Sequence, residues 1–142
     1  MKIIDYSKEI DYEIVNGLYV LKKAVYMDVD FGTGHVFRIK IDKGAMSDGL
    51  SVPKIFRWYL PCWDDNNVLY NLIGLIHDGA YGSQCLGKDV ADELFYTGLV
   101  MAGISKTKAR VAEWAVENLA GLHYGRENDD FGISEYVSIE AV

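Results

Sequence analysis

The residues best suited by type and spacing to do chemistry are His77, Asp78, Tyr81 and Asp92. His77 and Tyr81 lie four apart at the end of the run Asn71-Leu72-Ile73-Gly74-Leu75-Ile76, so on a helix they stack along one edge. Asp78 falls about one residue step further round. A helix returning from the short Gly82–Gly87 connection would run antiparallel and turn Asp92 towards the His77 edge. A carboxylate there fixes the imidazole in one tautomer and leaves its other nitrogen free to act as a base. Asp78 comes within reach of the loop Asp48-Gly49-Leu50-Ser51-Val52-Pro53. A carboxylate with backbone carbonyls is a donor set that suits Ca²⁺. The competing interpretation is structural: a core histidine satisfied by Asp92 and Tyr81, locking two helices together.

Other chemistries find less support. No His-x-x-x-His or Cys-x-x-Cys pair is present, which argues against a closed zinc site. Neither Cys62 nor Cys85 has a histidine in its motif. Gly32-Thr33-Gly34 lacks the lysine and helix of a phosphate-cradling loop.

The elements that must position these residues follow from hydrophobic patterning. The first part, residues 1–47, is β-rich. Asn16-Gly17 between two β-prone runs signals a hairpin, Ala24 to Asp30 alternates, and Val36 to Ile41 alternates again with Phe37, Ile39 and Ile41 on the buried side. His35 at the start of that strand reads as solvent-facing. Residues 43–53 form a loop in which Asp48-Gly49 makes a tight turn and Ser51 can cap a following helix. Residues 54–121 are helical. A short helix spans Ile55 to Leu60, and Trp63 to Asn67 supplies the turn and cap of a central helix burying Leu69, Leu72, Ile73, Ile76 and Ala80 on one face. Lys88 to Ala102 buries Ala91, Leu94, Phe95, Gly98, Met101 and Ala102, with Asp92 at the edge of that face and Asp89 in water. Ser105 caps a last helix whose core stripe is Ala109, Ala112, Val116 and Leu119, and Gly121 stops it. Residues 126–142 form an acidic, weakly patterned tail. Strands first and helices second make a single α+β domain over residues 1–142.

Composition narrows the partners. The formal charge of −7 disfavours nucleic acid and anionic membrane surfaces. No apolar run reaches the length of a membrane span, and the opening Met1-Lys2-Ile3-Ile4-Asp5 is not a signal peptide. Two cysteines do not make a disulfide framework and point to a reducing compartment.

Three motifs in this order, Ser47-Asp48-Gly49-Leu50-Ser51-Val52-Pro53, Ile76-His77-Asp78-Gly79-Ala80-Tyr81 and Ala91-Asp92-Glu93-Leu94-Phe95 with Met101, resemble a family of small uncharacterised proteins of tailed phages and prophages, the domain of unknown function 1353. The resemblance covers roughly residues 18 to 121. It implies a phage-encoded accessory protein of the host cytoplasm or the virion. A more distant likeness is to the helix pair of secreted phospholipase A2. That likeness implies His77 as the base activating water, Asp92 as its orienting partner and Tyr81 bonded to Asp92. It implies Ca²⁺ held by Asp78 with carbonyls of Asp48, Gly49 and Ser51. The substrate it implies is an ester, lipids included. Leu50 stands where those enzymes carry a cysteine, and their glycine- and cysteine-rich calcium loop is absent. Two functions therefore stand as expectations: a His/Asp-dependent ester hydrolase acting in infection or lysis, and a non-enzymatic virion component or host-factor binder in which His77 and Asp92 are structural.

Overall fold

The computed structural model describes residues 1–50, 59–118 and 130–142. The chain folds as β1 (Lys2–Tyr6), β2 (Tyr12–Val15), β3 (Leu18–Leu21), β4 (Val25–Asp30), β5 (Val36–Ile41) and β6 (Met46–Ser47). The helices α1 (Val68–Ser83), α2 (Lys88–Met101) and α3 (Lys106–Asn118) follow, then a 3₁₀ segment (Asp130–Tyr136) and β7 (Val137–Ala141). Antiparallel strands followed by three helices form the expected α+β class.

Two antiparallel sheets result, one with the order β1-β4-β5-β7 and one with β2-β3-β6. In the smaller sheet Val15 pairs with Leu18. The two-residue turn between them holds Asn16 and Gly17 at φ of 52° and 78°, the left-handed pair that matches strand twist. Trp63 stacks on Tyr19 with ring centroids 4.0 Å apart, tying the segment before α1 to this sheet. In the larger sheet Ile3, Val25, Met27, Val29, Ile39 and Ile41 are buried. The register of β1 shifts between Ile3 and Asp5, which puts Ile4 outside, 53% exposed.

The central helix departs from the one-faced pattern expected of it. Leu69 through His77 and Gly79 through Gly82 are all buried, because the sheet, α2 and the 3₁₀ segment surround it. Its glycines set how closely the neighbours approach. A Cβ at Gly79 would come 2.9 Å from Val137 Cγ2 of β7, and one at Gly74 would come 3.0 Å from the Leu50 backbone. The close backbone approach therefore falls at Gly74, whereas Gly79 receives side chains. Asn67 caps the helix by accepting the Tyr70 N–H at 3.1 Å. Tyr70 donates its hydroxyl to the Pro61 carbonyl.

Helix α2 runs back along α1: Tyr81 and His77 meet Asp92, and Gly98 lies against Ile73. Ser105 caps α3 through the Lys108 N–H at 3.2 Å, and Ala109, Ala112, Ala115 and Val116 are buried.

Three further expectations change. Met101 is half exposed rather than buried, its place in the core taken by Leu99. Asp92 is not at an edge but fully enclosed. Part of the acidic tail is strand β7, pairing Ile139 with Ile39 and Val137 with Ile41 to complete the larger sheet. Its alternation of apolar and polar residues suits a half-covered edge strand. The Ile55–Leu60 helix (largely), Leu119 and the Gly121 stop lie outside the described residues.

Candidate functional site

The geometry begins with Asp92, which the first turns of α2 place over the C-terminal half of α1. Its two oxygens have separate partners. Oδ1 lies 3.0 Å from His77 Nε2 and also accepts the Tyr81 hydroxyl. Oδ2 accepts Lys88 Nζ at 2.8 Å. The imidazole lies between two rings, with centroids 4.1 Å from Tyr81 and 4.6 Å from Phe95. His77 is 4% exposed and Asp92 0%.

Burial pushes the His77 pKa below its ordinary 6.5, against the opposing pull of Asp92. At neutral pH the ring is therefore uncharged, the form a general base requires. With Nε2 donating to Asp92, Nδ1 is the basic nitrogen. Burial alone would raise the Asp92 pKa, but hydrogen bonds from His77, Lys88 and Tyr81 outweigh it and hold the carboxyl below 3.8. An ionised carboxylate, a neutral imidazole and a compensating ammonium make up the site.

His77 lines a cleft between α1 and α2 with Ile73, Ile76, Ala80, Leu94 and Phe95, too narrow for a water molecule. Its walls are apolar apart from the imidazole.

The second half of the expected site lies on another side of α1. Asp78 is half buried, and its Oδ2 accepts the Ser47 hydroxyl at 2.9 Å. The same Ser47 oxygen accepts the Gly49 N–H at 3.0 Å. Leu50 N–H donates to the Cys62 carbonyl at 2.7 Å, and a Cβ on Gly49, whose φ is 89°, would come 2.3 Å from that carbonyl oxygen. The turn is thus pinned between α1 and the Cys62 segment. Asp48 is exposed, Gly49 is buried, and Ser51 lies outside the described residues. Among the described residues no group of three His, Cys, Asp or Glu side chains converges as a metal site. A cation at Asp78 would have to draw on backbone carbonyls, as the sequence suggested.

Sequence reasoning brought His77, Tyr81 and Asp92 into one candidate site, and the structure places all three in contact. It missed Lys88 and Ser47. Lys88 was readable, since a lysine four residues before Asp92 on one helix lies on the same face. Ser47 was not, because its partner Asp78 is distant in sequence.

The chain belongs to the family described as Protein of unknown function (DUF1353), whose model matches residues 20–116. That span includes Ser47, Asp48, Gly49, His77, Asp78, Tyr81, Lys88 and Asp92. No curated protein and no solved structure matches the chain significantly. No helix among the described residues is long and apolar enough to cross a membrane.

Proposed function

We propose that the protein is a hydrolase of ester substrates in which His77 is the general base. Asp92 orients His77 through Nε2, and Tyr81 steadies Asp92. The observation that carries this reading is the buried, uncharged imidazole held by a carboxylate within a tyrosine-backed pair of helices. In the step envisaged, Nδ1 takes a proton from water as its oxygen adds to the ester carbonyl, and the imidazolium formed is stabilised by Asp92. The proton then passes to the departing alkoxide. Once the gap beside the imidazole widens, its apolar lining would favour a substrate with a hydrocarbon arm, a lipid among them. A role in infection or lysis rests on the resemblance of its three motifs to those of a phage and prophage family.

Substrate entry requires the cleft to widen, by movement of Phe95 and Leu94 or by parting of α1 and α2. That closure is also the observation favouring the second reading, a virion component or host-factor binder in which His77 and Asp92 are structural and lock α1 to α2. Incubating the protein with a panel of short-chain, long-chain and phospholipid esters, with calcium and with chelator, separates the two. Hydrolysis that rises with acyl length supports the enzyme. No hydrolysis of any ester under either condition supports the binder.

A further inference from the structure

Lys88 occupies a position that its own helix disfavours. It is the first residue of α2, where a cation opposes the helix dipole, and it precedes Asp92 by four residues, the less favourable order for such a pair. A lysine kept against both local preferences invites an explanation from what it touches. Its ammonium reaches Asp92 Oδ2 at 2.8 Å and the Glu117 carbonyl of α3 at 3.3 Å, and it stands 5.9 Å from the Tyr81 ring centre. The side chain is 27% exposed, while Asp92 is wholly enclosed.

We propose that Lys88 is a positioning residue that fixes the Asp92 carboxylate, so that Oδ1 alone serves His77 and Tyr81. A carboxylate turns about a single bond, and its orientation is set by which oxygen each donor holds. Here the inner oxygen takes two donors and the outer one takes the ammonium. The ammonium also donates to the Glu117 carbonyl of α3, a second hold that resists its following the carboxylate if that turns. Removing it leaves Oδ2 enclosed with its charge unbalanced, and the Tyr81 hydroxyl is then drawn towards both oxygens. The His77 Nε2–H bond loses its fixed acceptor. Lys88 thus acts on His77 only through Asp92.

The functional meaning of this role rests on the reading of His77 as the base, but its test needs no substrate, so the two fail separately. The imidazole Nε2–H of His77 is followed by proton–nitrogen NMR in the full chain at neutral pH. Lys88→Met keeps the aliphatic stem, Lys88→Arg keeps the charge, and Lys106→Met at the first position of α3 is the control. In Lys88→Met the Nε2–H should exchange with water about tenfold faster than in the parent, the loss of roughly one hydrogen bond's protection. Lys88→Arg should restore slow exchange and Lys106→Met should leave it unchanged. A mere surface ion pair would leave exchange as in the parent, with α2 unchanged or slightly firmer once the dipole is no longer opposed. Parent-like exchange in Lys88→Met overturns the inference, and Lys88→Ala supplies the same comparison if the methionine variant does not fold.

Discussion

Replacing Asp92 by asparagine perturbs the site at its hub without changing its volume. Three donors converge on the carboxylate, from His77, Tyr81 and Lys88. An amide offers one accepting oxygen and places two N–H donors where the other oxygen stood. At least one of the three donors must then lose its acceptor, or His77 must change tautomer so that Nε2 accepts from the amide. Lys88, at 27% exposure, can turn to water and adds little to the cost. His77 and Tyr81 are buried and cannot. A stranded buried donor costs about 1–3 kcal/mol, and loss of a charge-assisted bond adds to it. Asp92→Asn should therefore cost about 2–4 kcal/mol, roughly 10 °C in melting temperature for a domain of this size. Urea unfolding followed by tryptophan fluorescence measures it, with Asp89→Asn, exposed on the same helix, as the reference. Asp92→Asn no more destabilising than Asp89→Asn would refute the claim that these donors depend on Asp92.

Stability should also fall with acid in two windows. The folded His77 pKa lies below 6.5, so the unfolded chain binds the extra proton. The contribution is fully present above 6.5 and is lost as pH falls through the folded value; a urea series on the parent and His77→Gln isolates it. The folded Asp92 pKa lies below 3.8, so its contribution holds above 3.8 and fades below, a loss that Asp92→Asn should not show. Gly49→Ala forces a side chain into a left-handed backbone and against the Cys62 carbonyl, and should cost about 1–3 kcal/mol by thermal melting. Ile139→Ala in β7 should cost about 1–2 kcal/mol, whereas Ile4→Ala at the exposed irregularity of β1 should stay within about 0.5 kcal/mol, both read by urea unfolding.

Local signals carried over into the structure where chain neighbours decide the outcome. Asn16-Gly17 needs only its own dihedrals to close a hairpin, and Asn67 and Ser105 need only the next turn to cap a helix. The short connection between α1 and α2 leaves little choice but an antiparallel return, so His77 and Asp92 were expected to meet. What failed to show depended on residues far apart in sequence. The burial of α1 on every side follows from β7 and the 3₁₀ segment, which pack against it from the other end of the chain. Strand β7 was masked by the acidic composition around it, although Val137, Ile139 and Ala141 alternate. The Ser47–Asp78 bond joins the end of β6 to the C-terminal half of α1, and no spacing rule predicts it. Met101 fits the apolar face of α2 by period, but it lies in the last turn, where that face has already passed its neighbours.

The role of His77 as a base is tested most directly by the rate of ester hydrolysis by His77→Gln against the parent. Both proteins are assayed at a temperature where circular dichroism shows them folded. Stability alone does not separate the two readings, because the ring is buried in either one. Removal of a general base should lower the rate about 10²- to 10⁴-fold. A variant that hydrolyses the same ester as fast as the parent would contradict the claim.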